Sequence, residues 1–373
     1  MAIFALSAQS ERATWAEVSL KNIRSNYSCL KKSLKKDCKL MAIVKANAYG
    51  HGAGSVSKAL EEEGVDFLGV AAPFEGALLR AAGVQVPIVV LSPTSPEQAE
   101  IIAGNNLIPA ISSIEMALAL DGRRVKAHVK VNTGMNRCGV EPEKISEFLT
   151  DIASKTDLQI EGIFSQLAGA DDIDRNGAYN QFDIFESLLR ELRSKNLRPP
   201  IAHISNSAAV LDMPEMNLDL VRTGLSLYGM YPSEFVSRSL NLAPVLSWKA
   251  KVVETRELQP GESVSYGSTY TATKPTRVAL LPVGYADGYR RSLSNRAEVL
   301  IRGERCKVAG KVCMDLTVVE CGEMDVHSGD EVVLIGSQGE DSISIEEMAA
   351  WLDTINYEVT TQITERVPRH YLT

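Results

Sequence analysis

Between about residues 20 and 235, short apolar segments alternate with amphipathic ones, and this alternation restricts the possible folds more than any other feature. The intervening segments, such as 54–64 and 180–195, carry apolar residues at helical spacing. Short apolar strands suit a parallel sheet covered on both faces, and about eight such units predict an eight-stranded parallel α/β (TIM-like) barrel. The candidate strands are residues 40–44, 65–71, 86–91, 107–111, 127–131, 160–164, 201–205 and 218–221.

After about residue 234 the pattern changes to strand-rich segments separated by Gly and Asp turns. One helix candidate remains at 344–352, with Ser344 as its cap. We therefore predict a barrel domain over 1–240 and a second, mainly-β domain over 241–373. A first strand near 14–20 is a candidate to pair with the β domain.

Composition narrows the classes of partner. A net charge of −8 over 373 residues disfavours nucleic acid and anionic membranes as partners. No apolar run is long enough to span a bilayer, and the N-terminus lacks the basic start of a secretory signal. The six cysteines show no metal-ligand spacing, so we expect reduced thiols, no metal and a cytoplasmic location.

The barrel prediction bears on the role of Lys45, which stands at the end of the first apolar strand. A lysine there is either a snorkelling side chain or a covalent handle. Active sites of such barrels lie at the C-terminal ends of the strands, where phosphate is commonly bound after strands seven and eight. This rim would also carry Arg137, Gln166, a Ser-Asn-Ser turn at 205–207 and an Arg-Thr-Gly turn at 222–224. A lysine amine beside a phosphate site suggests pyridoxal phosphate held as a Schiff base.

The chain resembles the alanine racemase family from end to end, because several motifs occur in one order. The motifs are AIVKANAYGHG (42–52), HVKVNTGMNRCG (128–139), AHISNSAA (202–209), RTGLSLYG (222–229), SYGSTY (265–270), GYADGYRR (284–291), KVCMD (311–315), INYE (355–358) and RVPRHY (366–371). The first alone is less specific, since other pyridoxal-phosphate barrels share a similar lysine segment.

This resemblance implies a pyridoxal 5'-phosphate-dependent racemase that interconverts L- and D-alanine. Lys45 would hold the cofactor and act as one proton-transfer group, and Tyr266 of the partner subunit in a homodimer would act as the other. Arg222 would face the ring nitrogen, leaving it neutral because guanidinium donates but does not accept. Arg137 would contact the cofactor phenol oxygen and the substrate carboxylate, with the Met314 backbone N–H as a second donor to the carboxylate.

The resemblance implies further roles around the same site. The phosphate would contact Tyr49, Asn206, Ser207, Tyr357 and the amides of Gly224 and Leu225. Supporting residues would be Lys130 (as a possible carbamate orienting Arg137), Tyr285, Asp315 and Asp171. His51 and His203 are expected to position backbone rather than to transfer protons.

Three positions depart from the family pattern. Gln166 stands where a histidine beside the cofactor is usual, Asn132 replaces an aspartate, and Thr223 replaces a proline. Glutamine can still form hydrogen bonds in both senses, but it carries no charge. The departures therefore bear on the tuning of Tyr266 and leave the proton-transfer groups intact.

Other functions remain open from the sequence. One is a serine or broad-specificity amino-acid racemase. Another is a non-catalytic pyridoxal-phosphate carrier, which would resemble the barrel alone. D-Alanine would supply peptidoglycan, or the enzyme would serve alanine catabolism.

Overall fold

The computed structural model describes residues 12–373, which divide into two compact units. The barrel unit is Lys21–Pro244, and the β unit joins the described residues up to Leu20 with Val245–Thr373. The N-terminal segment 1–11, which bears on the secretory-signal prediction, lies outside the described residues.

The barrel unit contains the predicted eight-stranded parallel sheet. Its strands are β2 (Lys39–Ile43), β3 (Phe67–Val70), β4 (Ile88–Pro93), β5 (Leu107–Ile111), β6 (Lys126–Lys130), β7 (Gln159–Phe164), β8 (Ile201–His203) and β9 (Leu220–Thr223). Each strand pairs with the next in chain order from β2 to β8, and β2 also pairs with β9. Backbone hydrogen bonds from Asp219 N to Ala202 O and from Arg222 N to Ser205 O, each 3.1 Å, join the flanks of β8 and β9. The sheet is therefore nearly closed, and the predicted fold class is confirmed.

Helices cover the outside of this sheet by burying one apolar stripe. In Ile145–Lys155 the buried residues Ile145, Phe148, Leu149 and Ile152 follow helical spacing, so one face packs inward. The barrel-unit helices within the described residues are α2 (Lys45–Tyr49), α3 (Ala53–Glu62), α4 (Pro73–Ala81), α5 (Ala99–Gly104), α6 (Ile114–Ala119), α7 (Ile145–Lys155), α8 (Asn176–Ser194) and α9 (Ser207–Asp212), preceded by α1 (Leu20–Ser33) at the unit boundary.

The β unit is built around a mainly antiparallel sheet that includes β1 (Thr14–Ser19). β1 pairs antiparallel with the strand Leu246–Lys251 and parallel with the C-terminal strand Arg369–Leu372. The other strands are β10 (Leu246–Lys251), β11 (Glu254–Leu258), β12 (Ser263–Val264), β13 (Tyr270–Thr271), β14 (Thr276–Leu281), β15 (Glu298–Ile301), β16 (Glu304–Val308), β17 (Thr317–Gly322), β18 (Glu331–Gln338), β19 (Asp341–Ile343) and β20 (Arg369–Leu372). Two helices lie between β19 and β20, α10 (Ile345–Leu352) and α11 (Asn356–Thr361). The Ser344 side chain caps α10 by accepting a hydrogen bond from Glu347 N (3.0 Å).

Two buried histidines lie inside the barrel, on β6 and β8. Gly162 leaves room for the His128 ring, because a Cβ atom there would lie 2.6 Å from it. Arg222 can only donate, so His203 Nδ1 accepts the 2.8 Å bond from its Nη1. His203 Nε2 then donates to His128 Nδ1 at 2.9 Å. Each ring must accept a hydrogen bond, and this requires both to be neutral.

Burial and Arg222 enforce that neutrality. They lower the pKa of His128 to about 3 and the pKa of His203 well below its ordinary value.

No helix within residues 12–373 is long and apolar enough to cross a membrane.

The buried histidine pair predicts a loss of stability in acid. Below an unfolded-state pKa of about 6.5, the unfolded chain binds protons that the folded His128 takes up only near pH 3. The free energy of unfolding should therefore fall with decreasing pH by about 1.4 kcal/mol per pH unit for this histidine. Urea unfolding from pH 7 to 4 should show a correspondingly flatter profile for His128→Gln than for the unchanged protein.

The exposed His370 offers a matched substitution. We expect His370→Gln to retain the steep profile. A His128→Gln profile as steep as that of the unchanged protein would contradict the neutral-pair account.

Candidate active site

A cavity of about 430 Å³ opens at the C-terminal ends of the barrel strands, and we call it the barrel-mouth cavity. Its lining includes four cationic side chains and, among the described residues, no carboxylate. The lining residues are Lys45, Ala71, Leu91, Ser92, Pro93, Lys130, Arg137, Cys138, Phe164, Gln166 and Arg222. The structure thus brings together five of the residues singled out from the sequence in a site suited to an anion.

Lys45 lies two residues after the end of β2, and its amine is easier to deprotonate than that of an ordinary lysine. Burial lowers its pKa first, the positive charges of Arg137 and Arg222 lower it further, and Glu75 opposes them. A neutral amine is the form that can act as a nucleophile or a base.

The backbone after Lys45 forms a left-handed turn. Residues 46–49 all have φ between 52° and 55°, a region that costs non-glycine residues roughly 1–2 kcal/mol each. The turn is closed by bonds from Ala48 N to Val44 O (2.9 Å) and from Gly50 N to Ala46 O (3.0 Å). The strained residues directly follow Lys45, which bears the candidate catalytic amine.

Glu75 anchors this turn from the first turn of α4. Its carboxylate accepts hydrogen bonds from Ala46 N (2.7 Å), Ala71 N (2.7 Å) and Ala72 N (3.1 Å). Glu75 was not among the residues predicted from the sequence. An acidic residue in the first turn of a helix indicates only a favourable charge at the helix end. Its bond to Ala46 spans 29 positions, so no local pattern indicates it.

Arg222 is buried, and its hydrogen bonds go to neutral acceptors. Nη1 bonds to His203 Nδ1, and Nη2 bonds to Ser165 O (2.9 Å), Ile204 O (2.9 Å) and Gln166 Oε1 (3.0 Å). Burial lowers its pKa to about 9, so the group stays charged at neutral pH. The His203 ring therefore holds a functional side chain, a role that the motif alone did not predict.

Gln166 meets Arg222 through its amide oxygen and donates from Nε2 to Leu167 O (3.1 Å). The buried Gln181 holds the same loop, since its amide donates to Gln166 O (2.9 Å) and accepts from Ala168 N (2.8 Å). Gln181 was also missed, because on α8 it reads as an ordinary polar helix residue.

Lys130 and Arg137 line the cavity from β6 and the loop that follows it. Burial and Arg222 lower the pKa of Lys130 to about 7, and its Nζ lies 4.4 Å from the centre of the Phe164 ring. Asn132 shapes the loop: its Oδ1 accepts from Asn136 N (2.9 Å) and its Nδ2 donates to Glu141 (2.9 Å). An amide can do both at once, and a carboxylate could not.

The candidate phosphate residues of the barrel unit also come together. Ser207 Oγ accepts bonds from Gly224 N (3.0 Å) and Ser226 N (3.4 Å). A Cβ atom at Gly224 would lie 2.5 Å from the Tyr49 hydroxyl, so glycine permits this approach. Asn206 caps α9 by accepting from Ala209 N (3.1 Å), and Leu225 is buried beside Gly224.

Asp171 lies after β7, outside the cavity lining. Its carbonyl accepts a hydrogen bond from Ser233 Oγ (2.6 Å), and burial raises the pKa of its carboxyl.

Residues 12–373 contain no cluster of His, Cys, Asp and Glu able to hold a metal ion.

The remaining candidates belong to the β unit. The side chains of Tyr266 and Met314 are 73% and 53% exposed, and Asp315 forms an ion pair with Arg366 (2.7 Å). Tyr285 is exposed and Tyr357 is partly buried on α11. Ser265 positions the Tyr266 backbone by donating to Lys311 O (2.6 Å).

Comparisons with known proteins agree with this architecture. Residues 18–232 match the N-terminal domain of alanine racemase, and residues 245–371 match its C-terminal domain. An alanine racemase of Halothermothrix orenii is 44% identical over 96% of this chain and 97% of its own. One of Methanococcus maripaludis is 40% identical over 96% and 98%, respectively. The structure of the Bacillus anthracis alanine racemase with bound L-Ala-P has a TM-score of 0.92 at 34% identity, covering 97% of this chain and 95% of that one.

Two domain matches and these identities define an amino-acid isomerase with a barrel and a β domain. The chain belongs to the alanine racemase family, as its motifs predicted.

The left-handed turn predicts an unusual stabilising substitution. Ala46→Gly should raise the free energy of unfolding by up to about 1 kcal/mol, because glycine adopts positive φ without the steric penalty of a Cβ atom. Urea unfolding provides the measurement. The matched control is Ala153→Gly on the exposed side of α7, which should cost about 1 kcal/mol. Equal losses for both variants would show that the turn carries no strain.

Proposed function

We propose that the chain is a pyridoxal-phosphate-dependent alanine racemase that interconverts L- and D-alanine. The main support for the proposal is the barrel-mouth cavity. There the Lys45 amine, whose pKa is lowered, lines the same cavity as the cationic side chains of Lys130, Arg137 and Arg222. Family membership supports the substrate, since the matched relatives are named alanine racemases. The proposed location is the cytoplasm, where D-alanine would supply peptidoglycan or the enzyme would serve catabolism.

The residues present fit pyridoxal phosphate at both of its ends. Ser207 with Tyr49 and the close backbone at Gly224 would hold the phosphate, Lys45 would hold the aldehyde carbon, and Arg222 would donate to the ring nitrogen. When bound, this group supplies an electron-accepting ring that stabilises negative charge left at the substrate Cα. Because Arg222 cannot readily take up a proton, the nitrogen would stay neutral.

Lys45 is proposed to move the α-proton on one side of the substrate. Its lowered pKa favours the neutral amine, which is the form that can take that proton, and Glu75 fixes the turn that carries it. The same amine can return a proton on the same side in the reverse direction.

The opposite side of Cα requires a second group, and we propose Tyr266 of the partner subunit in a homodimer. Its side chain is 73% exposed within the chain, which suits a residue whose contacts come from another subunit. Met314, 53% exposed, would contribute its backbone N–H to the substrate carboxylate together with Arg137. Tyr285, Tyr357, Asp315 and Asp171 remain proposed supporting residues.

Lys130 is proposed to act as a carbamate. A pKa lowered to about 7 leaves much of its amine neutral at physiological pH, and only the neutral amine can attack carbon dioxide. The product would place a negative charge in the same cavity as Arg137 and orient that side chain.

Substitutions of Lys45 and Tyr266 separate the two proposed roles. Lys45→Ala should abolish the cofactor absorbance and lower racemisation by at least about 10⁴-fold. Tyr266→Phe should retain the absorbance and lower racemisation by about 10²–10⁴-fold. In heavy water, this second variant should still exchange the α-hydrogen of D-alanine while exchange from L-alanine is lost.

Each variant serves as the control for the other. Racemisation retained by Lys45→Ala would exclude the proposed function, and equal loss of exchange from both enantiomers in Tyr266→Phe would make the tyrosine a positioning residue. Cofactor binding without any α-hydrogen exchange in the unchanged protein would instead indicate a carrier. A higher kcat/KM on serine or lysine than on alanine would indicate the broader racemase.

Gln166→His tests the main departure from the family pattern. An imidazole in place of the amide can still accept a hydrogen bond from Arg222, and it adds a titratable group. We expect kcat to change and its pH profile to gain an inflection below about pH 6.5, because the Arg222 charge lowers the pKa of an adjacent imidazole. Gln166→Leu, which cannot accept from Arg222, should lower kcat/KM about tenfold with no added inflection. An unaltered profile for Gln166→His would mean that the departure is silent.

A further inference from the structure

Two of the free cysteines face each other across adjacent strands of the β unit. β16 and β17 are antiparallel, with Lys307 opposite Glu320 and Val308 opposite Val319. Cys306 and Cys321 each lie one residue beyond the Lys307–Glu320 pair on their strands. Both side chains are buried, with exposures of 1% and 6%, and each thiol shifts the pKa of the other.

The hydrogen-bond pattern identifies the kind of pair they form. Ala309 N donates to Val318 O, directly opposite it, at 2.9 Å, and this marks a hydrogen-bonded pair. Such pairs alternate along a regular antiparallel ladder, and continuing the alternation would put Cys306 and Cys321 at a non-hydrogen-bonded position, where Cα atoms lie about 4.5 Å apart. Disulfides span Cα separations of about 4.4–6.8 Å, so this position is within their range.

We propose that Cys306 and Cys321 form an oxidative modification site, at which a small peroxide closes the two thiols into a cross-strand disulfide. This inference does not rest on the proposed racemase activity. The near-complete burial of both side chains selects a small oxidant over a bulky one.

The surroundings distinguish the attacking sulfur from the resolving one. The Cys306 thiol, the Ala279 backbone and the Arg277 charge lower the pKa of Cys321, whereas the contact with Cys321 and burial raise the pKa of Cys306. The Cys321 thiolate attacks a peroxide oxygen, the O–O bond breaks, and a sulfenic acid and hydroxide form. The hydroxide takes up the proton that the Cys321 thiol had released and leaves as water. The Cys306 sulfur then attacks the Cys321 sulfur, and its proton leaves with the displaced oxygen as a second water. Two thiols are oxidised to one disulfide, and one peroxide is reduced to two waters.

The disulfide would join the two ends of segment 307–320, which carries Cys313 and Met314. Cross-linking restricts the unfolded chain and should raise the melting temperature of the β unit. Cys313 is the main competing thiol, because it lies on the same segment and is only partly buried.

The test treats the folded full-length protein with hydrogen peroxide, blocks remaining thiols by alkylation under denaturing conditions, and maps the peptides by mass spectrometry. Cys313→Ser provides the background in which a cross-link to residues 312–321 can involve only Cys321. We expect a Cys306–Cys321 peptide pair lighter by about two mass units than the sum of its reduced parts, restored by reductant. The melting temperature should rise on oxidation.

Variants distinguish pairing from general oxidation. Cys38→Ser removes a different buried thiol and should leave both the cross-link and the rise in melting temperature intact. Cys306→Ser and Cys306→Ala should abolish both. The proposal is overturned if Cys306 and Cys321 stay reduced under peroxide that oxidises Cys313, if Cys321 proceeds to sulfinic acid without a cross-link, or if Cys313 is the partner in the unchanged protein.

Discussion

The buried guanidinium of Arg222 organises the barrel interior. It is held by neutral acceptors, among them His203 and Gln166, so its positive charge is not cancelled by the groups that orient it. That charge helps to lower the pKa values of Lys45, Lys130 and both buried histidines. The site is therefore prepared to bind an anion and to keep nearby amines and imidazoles neutral, and both properties follow from one desolvated cation.

Backbone geometry adds a second constraint. The barrel brings the C-terminal strand ends to one rim, and the left-handed turn after Lys45 directs the chain away from it under strain. Glu75 offsets part of that strain by satisfying backbone donors, while its negative charge limits the fall in the pKa of Lys45. Position and reactivity of the amine are thus controlled by the same carboxylate.

Much of the fold was predictable because its signal is local. Each barrel strand appears in the sequence as a short apolar run, and the structure has all eight, with ends displaced by a residue or two. The gathering of Lys45, Lys130, Arg137, Gln166 and Arg222 followed from one rule about parallel barrels together with the family motifs. The rule also applies to Leu91, Ser92 and Pro93, which form the C-terminal end of β4 and were overlooked.

The amino-acid sequence by itself determined the order of strands and helices, the rim on which the lysine and arginines stand, and the family. Periodicity and motifs depend only on neighbouring residues. Only the tertiary structure decided that His128 supports His203, that Glu75 anchors the turn after Lys45, and that Cys306 meets Cys321. These contacts join residues that are distant in the chain, and they depend on strand register and burial, neither of which a local pattern specifies.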